Sequence, residues 1–223
     1  MRTAMRNRNA NNLGELLRRL GVPASRVCLD PPPGKATKRD LLRLDGLGEK
    51  IYELVERTLV EKAMGFPESY LAMELGRIIG NYLDGADLGF LGGADALTEL
   101  IPNLVRVPDV SFVSWTIRPE RTVPLDPISQ LIPSLVVEVL SPSNTRREMA
   151  RKRSEYFRAG VELVWEIDPA TRSAEVFTGP DDATAIGETG TLDGGTVLPG
   201  FKLALAKLFE RLEKPDGKKA KKK

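Results

Sequence analysis

A strand with two apolar faces is predicted at residues 135–140, where the sequence reads LVVEVL between Pro133 and the turn-forming pair Ser141-Pro142. Side chains alternate along a strand, so residues 135, 137 and 139 would face one side and residues 136, 138 and 140 the other. Both sides are aliphatic except at Glu138. We therefore expect both faces of this strand to be covered by other parts of the chain.

The carboxylate of Glu138 does not fit such a buried strand unless something compensates its charge. An isolated buried carboxylate is strongly unfavourable, so Glu138 must be paired, protonated or neutralised by a cation. A salt bridge to a nearby arginine, Arg146 or Arg147, would explain it as well as a functional site would. The strand alone does not decide between these two interpretations.

The remaining sequence predicts a mixture of helices and strands around this segment. Apolar spacing predicts helices over 13–20, 67–83, 145–158 and 203–212. Strands are predicted on either side of Glu56-Arg57 within 50–62, and over 103–107, 109–114, 134–140, 161–167 and 173–178. The glycine-rich residues 89–95 predict a hairpin or bend. This order indicates an α/β fold with a mixed central sheet flanked by helices.

Three regions are predicted along the chain. Residues 1–45 form an N-terminal helical appendage and linker, which includes the stiff segment DPPPG at 30–34. Residues 46–212 form the main domain. Residues 213–223 form a lysine-rich tail, which we interpret as a solvated, disordered end, although such a tail can also contact phosphates. The basic ends account for the net charge of +2, so the body between them is net negative.

The amino-acid content excludes several kinds of site. The chain has no histidine, which removes Ser-His-Asp and Cys-His catalysis and every imidazole metal site. The single cysteine, Cys28, excludes an internal disulfide and favours a reducing cytoplasm. Neither GxxxxGK[ST] nor GxGxxG occurs, and no apolar run is long enough to cross a membrane. A metal site in this chain would use oxygen ligands, which favour Mg²⁺ or Mn²⁺.

A second carboxylate and a basic helix extend the pattern begun by Glu138. Asp109 stands at the start of a β-rich run in VRVPDVSFV (105–113), although Pro-Asp pairs also serve in turns. Two carboxylates at the ends of adjacent strands can converge on a divalent ion. On the helix at 145–158, periodicity does not decide whether Lys152 or Arg153 points inward. Both side chains could also be ordinary solvated charges on the surface of the helix.

Four motifs occur in an order that we recognise: VPDVSFVS, LVVEVLSPSN, ARKRSEYFRAGVELVWEID and TLDGGTVLPGFKLALAKLF. Together they make residues 45–212 resemble the Uma2 family of restriction-endonuclease-like proteins, within the PD-(D/E)XK nuclease superfamily. The resemblance implies a restriction-endonuclease-like fold and a metal-dependent endonuclease that hydrolyses DNA phosphodiester bonds. The alternative is a nuclease-fold module that binds DNA or a protein partner without cutting.

The resemblance also implies roles for individual residues. Asp109, Glu138 and the main-chain carbonyl of Val139 would bind Mg²⁺ or Mn²⁺. Lys152 would orient the attacking water, stabilise negative charge on the phosphorus, or act as a base if burial lowers its pKa. Glu74 matches a position where some superfamily members place an additional metal ligand.

The chain departs from the superfamily at one position. Leu140 stands two residues after Glu138, where the superfamily motif has lysine, so Lys152 on the following helix would supply the ammonium. A homodimer would suit cleavage of two strands. The sequence names neither a recognition site nor a methyltransferase partner.

Overall fold

The computed structural model describes residues 12–213 and contains five α-helices and twelve β-strands in this range. The helices are α1 (Leu13–Leu20), α2 (Lys38–Asp45), α3 (Phe66–Ala86), α4 (Arg146–Ala159) and α5 (Leu205–Leu208). The strands are β1 (Tyr52–Val55), β2 (Thr58–Glu61), β3 (Gly89–Gly92), β4 (Thr98–Ile101), β5 (Leu104–Arg106), β6 (Val110–Ser114), β7 (Leu135–Val139), β8 (Leu163–Asp168), β9 (Ser173–Phe177), β10 (Ala183–Ile186), β11 (Thr191–Asp193) and β12 (Lys202–Ala204).

A six-stranded mixed sheet lies at the centre, in the order β10-β9-β8-β7-β6-β3. Strands β7 and β8 are parallel, and the other neighbours are antiparallel. Every residue of β7 is buried, as its two apolar faces predict. Helix α3 packs on the face that carries Val137, and Tyr156 of α4 packs on the face that carries Val136. The predicted α/β fold with a mixed central sheet between helices is therefore confirmed.

Two smaller sheets complete the fold. The first has the order β2-β1-β5-β4 and includes the two strands predicted around Glu56-Arg57. Both residues of that turn have positive φ angles. Strand β5 continues through Pro108 towards β6, so this sheet adjoins the central one at the start of β6. The second is the hairpin β11-β12.

The segment before residue 46 packs into the same body as the sheets. Leu16 and Leu20 of α1 share a buried cluster with Val136 and Tyr156. Cys28 donates its backbone N–H to the carbonyl of Leu59 at 2.9 Å, which adds a short bridge along β2. The helical content predicted for this segment is present, and its division from the main domain at residue 45 stays a prediction.

Two predicted elements differ in the structure. Residues 89–92 form strand β3, because Gly89 lets β3 lie against β6, and the predicted bend is confined to the turn at Ala94-Asp95. A Cβ at Gly89 would stand 2.1 Å from the carbonyl oxygen of Val113. The closing helix predicted over 203–212 is reduced to α5, because Lys202–Ala204 pairs with β11 instead. Strands β4, β10 and β11 were not predicted.

The basic ends lie outside the described residues, and so does most of the predicted tail. Among residues 12–213, no helix combines the length and the apolar character needed to cross a lipid bilayer.

Candidate active site

Glu138 lies near the end of β7 and is buried beneath α4. The ammonium of Lys152 donates to both of its carboxylate oxygens, at 3.0 and 3.1 Å. The hydroxyl of Tyr156 also donates to this carboxylate. Arg146 and Arg147 are exposed, so the buried cation beside Glu138 is the lysine on α4 rather than either arginine.

Burial raises the pKa of Glu138 to about 7. The attraction of Lys152 opposes this rise, whereas repulsion from Asp109 and Glu53 adds to it. Burial thus makes the ionised form of Glu138 less favourable than it is in water. An added cation would favour its ionised form.

Asp109 stands immediately before β6, the strand next to β7, and lies beside Glu138. The antiparallel register pairs Val110 with Val137, so Asp109 and Glu138 are the next residues across the two strands. Strands in a sheet are about 4.8 Å apart, and the Asp109 charge contributes to the raised pKa of Glu138. The structure therefore brings together the two carboxylates that the sequence singled out.

The two oxygens of Asp109 have different surroundings. The backbone N–H of Val139 donates to Oδ2 at 2.6 Å. The ammonium of Lys62 lies 2.8 Å from Oδ1. That ion pair lacks hydrogen-bond geometry, and Oδ1 is a buried oxygen without a hydrogen-bond partner among the described residues.

Glu53 on β1 is the second carboxylate that contacts Lys152, at 3.2 Å. Arg106 donates to Glu53 at 2.6 Å, and so does the backbone N–H of Val107 at 3.2 Å. Burial opposes ionisation of Glu53, but Lys152 and Arg106 hold its pKa at about 2. Burial likewise opposes the charge of Lys152, but Glu138 and Glu53 raise its pKa above the usual lysine range.

Glu53, Arg106 and Lys62 were not predicted from the sequence as members of the site. A signal was present for Glu53, because it stands in the apolar strand YELV (52–55) much as Glu138 stands in its own strand. Arg106 and Lys62 also stand among apolar residues. Long basic side chains commonly extend from such positions to solvent. Only their burial in the folded structure distinguishes Arg106 and Lys62 from ordinary surface residues.

Arg153 points away from this group. Its guanidinium donates to Glu166 of β8 at 2.7 Å and lies 4.2 Å from the ring centre of Phe177. Periodicity left open whether Lys152 or Arg153 points inward, and the contacts decide this: Lys152 meets Glu138. Arg153 meets Glu166, which is the partner of Glu138 on the neighbouring strand.

Glu74 lies elsewhere, on α3. It is partly exposed and forms a two-point ion pair with Arg77, at 2.6 and 2.9 Å. In the part of the chain that the structure describes, its contacts include neither Asp109 nor Glu138. The structure does not bring Glu74 to the carboxylate pair.

A cavity of about 1290 Å³ opens where β7 and β8 end. Glu166 and Arg153 form part of its wall, and the first turns of α3 and α4 form another part. Asp109, Glu138 and Lys152 are not among the described residues that line it, and Glu166, the strand neighbour of Glu138, is the link between the two. The cavity has room for a ligand of several chemical groups.

The carboxylate pair has ligands of the kind that Mg²⁺ uses. Residues 12–213 contain no cluster of three or more acidic, histidine or cysteine side chains placed to hold a metal ion. Mg²⁺ often needs fewer protein ligands, because it keeps several waters and takes one or two carboxylates together with substrate phosphates. Asp109 and Glu138 fit this mode, and the buried Oδ1 of Asp109 lacks a hydrogen bond.

Comparisons with known proteins point to one family. The model of the Uma2 family, described as "Putative restriction endonuclease", matches residues 39–206. Among solved structures, a "putative nuclease belonging to DUF820" from Anabaena variabilis has a TM-score of 0.64 at 18% identity, over 73% of this chain and 91% of that one. At this identity the likeness shows the fold alone. No curated protein matches. Because the family model spans most of its length, the chain belongs to the Uma2 family.

Proposed function

We propose that the protein is an endonuclease that hydrolyses DNA phosphodiester bonds with the help of Mg²⁺ or Mn²⁺. The observation that carries this proposal is the adjacent placement of buried Asp109 and Glu138, with the ammonium of Lys152 on Glu138. Membership in the Uma2 family supports the nuclease class.

Three groups would hold the ion: the carboxylates of Asp109 and Glu138 and the main-chain carbonyl of Val139. The N–H and C=O of one strand residue point to the same side. Because the N–H of Val139 points at Asp109, its carbonyl faces the same neighbouring strand. When bound, the ion supplies Lewis-acid activation of a phosphate oxygen and of a water. Glu74, paired with Arg77, is left out of this set.

The side chains around Glu138 position it and supply positive charge. Tyr156 and Lys152 hold the carboxylate from the side of α4. Because the pKa of Lys152 is raised, the lysine remains an ammonium and acts as a donor to developing negative charge rather than as a base. This favours one of the three roles that the sequence left open for Lys152.

We also propose the substrate, the cofactor, the cellular location and the oligomeric state of the protein. DNA is the substrate and a divalent ion the cofactor, in a cytoplasmic setting, and a homodimer would suit double-strand cleavage. The second candidate, a module that binds DNA or a protein without cutting, is favoured by one observation. Each carboxylate already has a lysine partner in the structure.

Cleavage of supercoiled plasmid by the purified protein tests the proposal. We expect nicking or cutting with Mn²⁺ or Mg²⁺, no cleavage with a chelator, and a loss of about 10²-fold or more in Glu138→Gln. Calorimetry should find Mn²⁺ binding that depends on Asp109 and Glu138. Absence of such binding both with and without DNA would refute the metal site, and DNA binding without cutting would favour the second candidate.

A matched pair of variants on α4 separates chemistry from metal binding. Lys152→Met should slow cleavage while Mn²⁺ still binds, because the ammonium is a donor and not a ligand. Arg158→Met removes an exposed charge from the last turn of the same helix, away from the residues that line the cavity, and should cut at close to the wild-type rate. Equal losses in both variants would contradict the role given to Lys152.

A further inference from the structure

Lys62 is a buried lysine with no role in the mechanism above. It follows β2, and its side chain is 3% exposed. Its ammonium donates to the carbonyl oxygens of Ala94 at 2.9 Å and Pro108 at 3.3 Å, and it lies 2.8 Å from Oδ1 of Asp109. Lysine is almost never fully buried unless it is paired, and the charged partner of Lys62 is Asp109.

The ammonium lies at the oxygen that a metal ion would use. Oδ2 of Asp109 already accepts the N–H of Val139, which leaves Oδ1 for a cation. Mg²⁺ binds oxygen at about 2.1 Å. With Lys62 at 2.8 Å from Oδ1, no ion bonded to that oxygen could be farther than about 5 Å from the ammonium. The two cations would repel each other in a site that excludes water.

The charges of the buried side chains around the site also balance one another without a metal ion. Each buried carboxylate near the site has a basic partner from the chain itself, in these pairs: Asp109 with Lys62, Glu138 with Lys152, Glu53 with Arg106, and Glu155 with Arg106 and Arg151. A divalent ion would add positive charge to a set that is already neutralised. A phosphate group that entered with the ion would offset this excess.

We infer that Lys62 is a built-in competitor of the divalent ion: its ammonium holds Asp109 in the metal-free protein and must leave Oδ1 when the ion binds. The inference rests on the proposed function and adds a form of regulation to that site. The ion alone binds weakly, and it binds better together with the phosphates of the substrate. Removal of the ammonium strengthens metal binding in the absence of DNA.

Titration of the metal-free protein with Mn²⁺, by calorimetry and by electron paramagnetic resonance of the free ion, tests this without any activity measurement. Lys62→Met should bind Mn²⁺ about tenfold more tightly than the wild type or better. One nearby cation lowers the proton affinity of a carboxylate by about 10- to 10³-fold, and we expect its effect on a bound metal ion to have the same sign. Lys50→Met is the matched control, because Lys50 is half exposed and pairs with Glu61 at 2.7 Å. The affinity of this variant for Mn²⁺ should equal that of the wild type.

A second variant covers the case in which Lys62→Met does not fold, as judged by circular dichroism. Lys62→Gln removes the charge but keeps N–H donors for the carbonyls of Ala94 and Pro108, and it should also bind Mn²⁺ more tightly. Binding by a Lys62 variant but not by the wild type also supports the inference.

Unchanged or weaker binding in a folded Lys62 variant, with binding by the wild type, overturns the inference and leaves the proposed function standing. No binding by any of the proteins overturns the inference, and it overturns the proposed function as well if binding is also absent with DNA.

Discussion

Two buried glutamates, Glu138 and Glu53, contact the same ammonium of Lys152 yet differ in their acidity. Glu53 has Arg106 as a second cation and a backbone N–H as a further donor, so its pKa falls to about 2. Burial raises the pKa of Glu138 to about 7, and the neighbouring Asp109 adds to the rise. Carboxylates whose environments separate their pKa values commonly have different roles. Glu53 is thus a counter-ion to Lys152 and Arg106, and Glu138 is the group that we propose as the metal ligand.

The lowered pKa of Glu53 predicts how acid affects the metal-free protein. Its usual value is 4.5 and its folded value is about 2, so the stability that its charge contributes is present above pH 4.5 and is lost as the pH falls towards 2. Urea unfolding of the wild type and of Glu53→Gln should show the larger difference at pH 5. By pH 3 the difference should narrow by about 2 kcal/mol. A difference that stays constant from pH 5 to pH 3 would contradict this account.

At the scale of elements, helix α4 is fixed by the segment that precedes the sheets. Thr145, the N-cap of α4, accepts the N–H of Glu148 and donates its hydroxyl to the carbonyl of Gly21. Gly21 ends α1 in the left-handed conformation at φ +74°. Arg151 of α4 also donates to the carbonyl of Arg19 in α1. The helix that carries Lys152 is therefore held at both its first and second turns by α1.

Gly21→Ala should weaken this contact. The added methyl group would stand 2.8 Å from the backbone nitrogen of Glu148, in a conformation that alanine adopts poorly. We expect a loss of about 2 kcal/mol or more in the free energy of unfolding. Gly76→Ala is the control, because Gly76 lies inside α3 with open space around it and should gain up to about 1 kcal/mol. Equal stability of Gly21→Ala and wild type in chemical denaturation would contradict the argument.

At the scale of the whole molecule, Arg26 connects three parts of the chain. Its guanidinium makes a two-point pair with Glu148 of α4, at 2.8 and 2.9 Å, and donates to the carbonyl of Glu61 in β2 at 2.8 Å. Both charged side chains are buried. The N-terminal segment thus contacts both the small sheet that carries Glu53 and the helix that carries Lys152.

Arg26→Met should destabilise the fold by about 3–5 kcal/mol, because Glu148 would keep a buried charge without its partner. The double variant Arg26→Met/Glu148→Met should recover part of this loss, since no buried charge is then left unpaired. Arg77→Met serves as the comparison, because its pair with Glu74 is solvent-exposed and should contribute less than about 1 kcal/mol. Thermal or urea unfolding measures all three, and a loss in Arg26→Met no larger than that in Arg77→Met would contradict the prediction.

Local sequence patterns were sufficient to predict the class of fold and to single out two acidic residues, Asp109 and Glu138. An apolar strand with a carboxylate in it can be read from adjacent residues, because side-chain alternation and the cost of burying charge are local properties. The same reasoning located α1, α3, α4 and the strands β6 to β9 to within a few residues.

Contacts between distant residues required the folded chain. Whether Lys152 or Arg153 meets Glu138 depends on how α4 sits on the sheet, and both side chains satisfy the same helical periodicity. Lys62 meets Asp109, and Glu53 meets Lys152, only because elements far apart in sequence pack together. Strand pairing likewise replaced the first turn of the predicted closing helix with β12. Sequence periodicity determines which face of a helix or strand is apolar. Strand register and packing determine which charged side chains form ion pairs with one another.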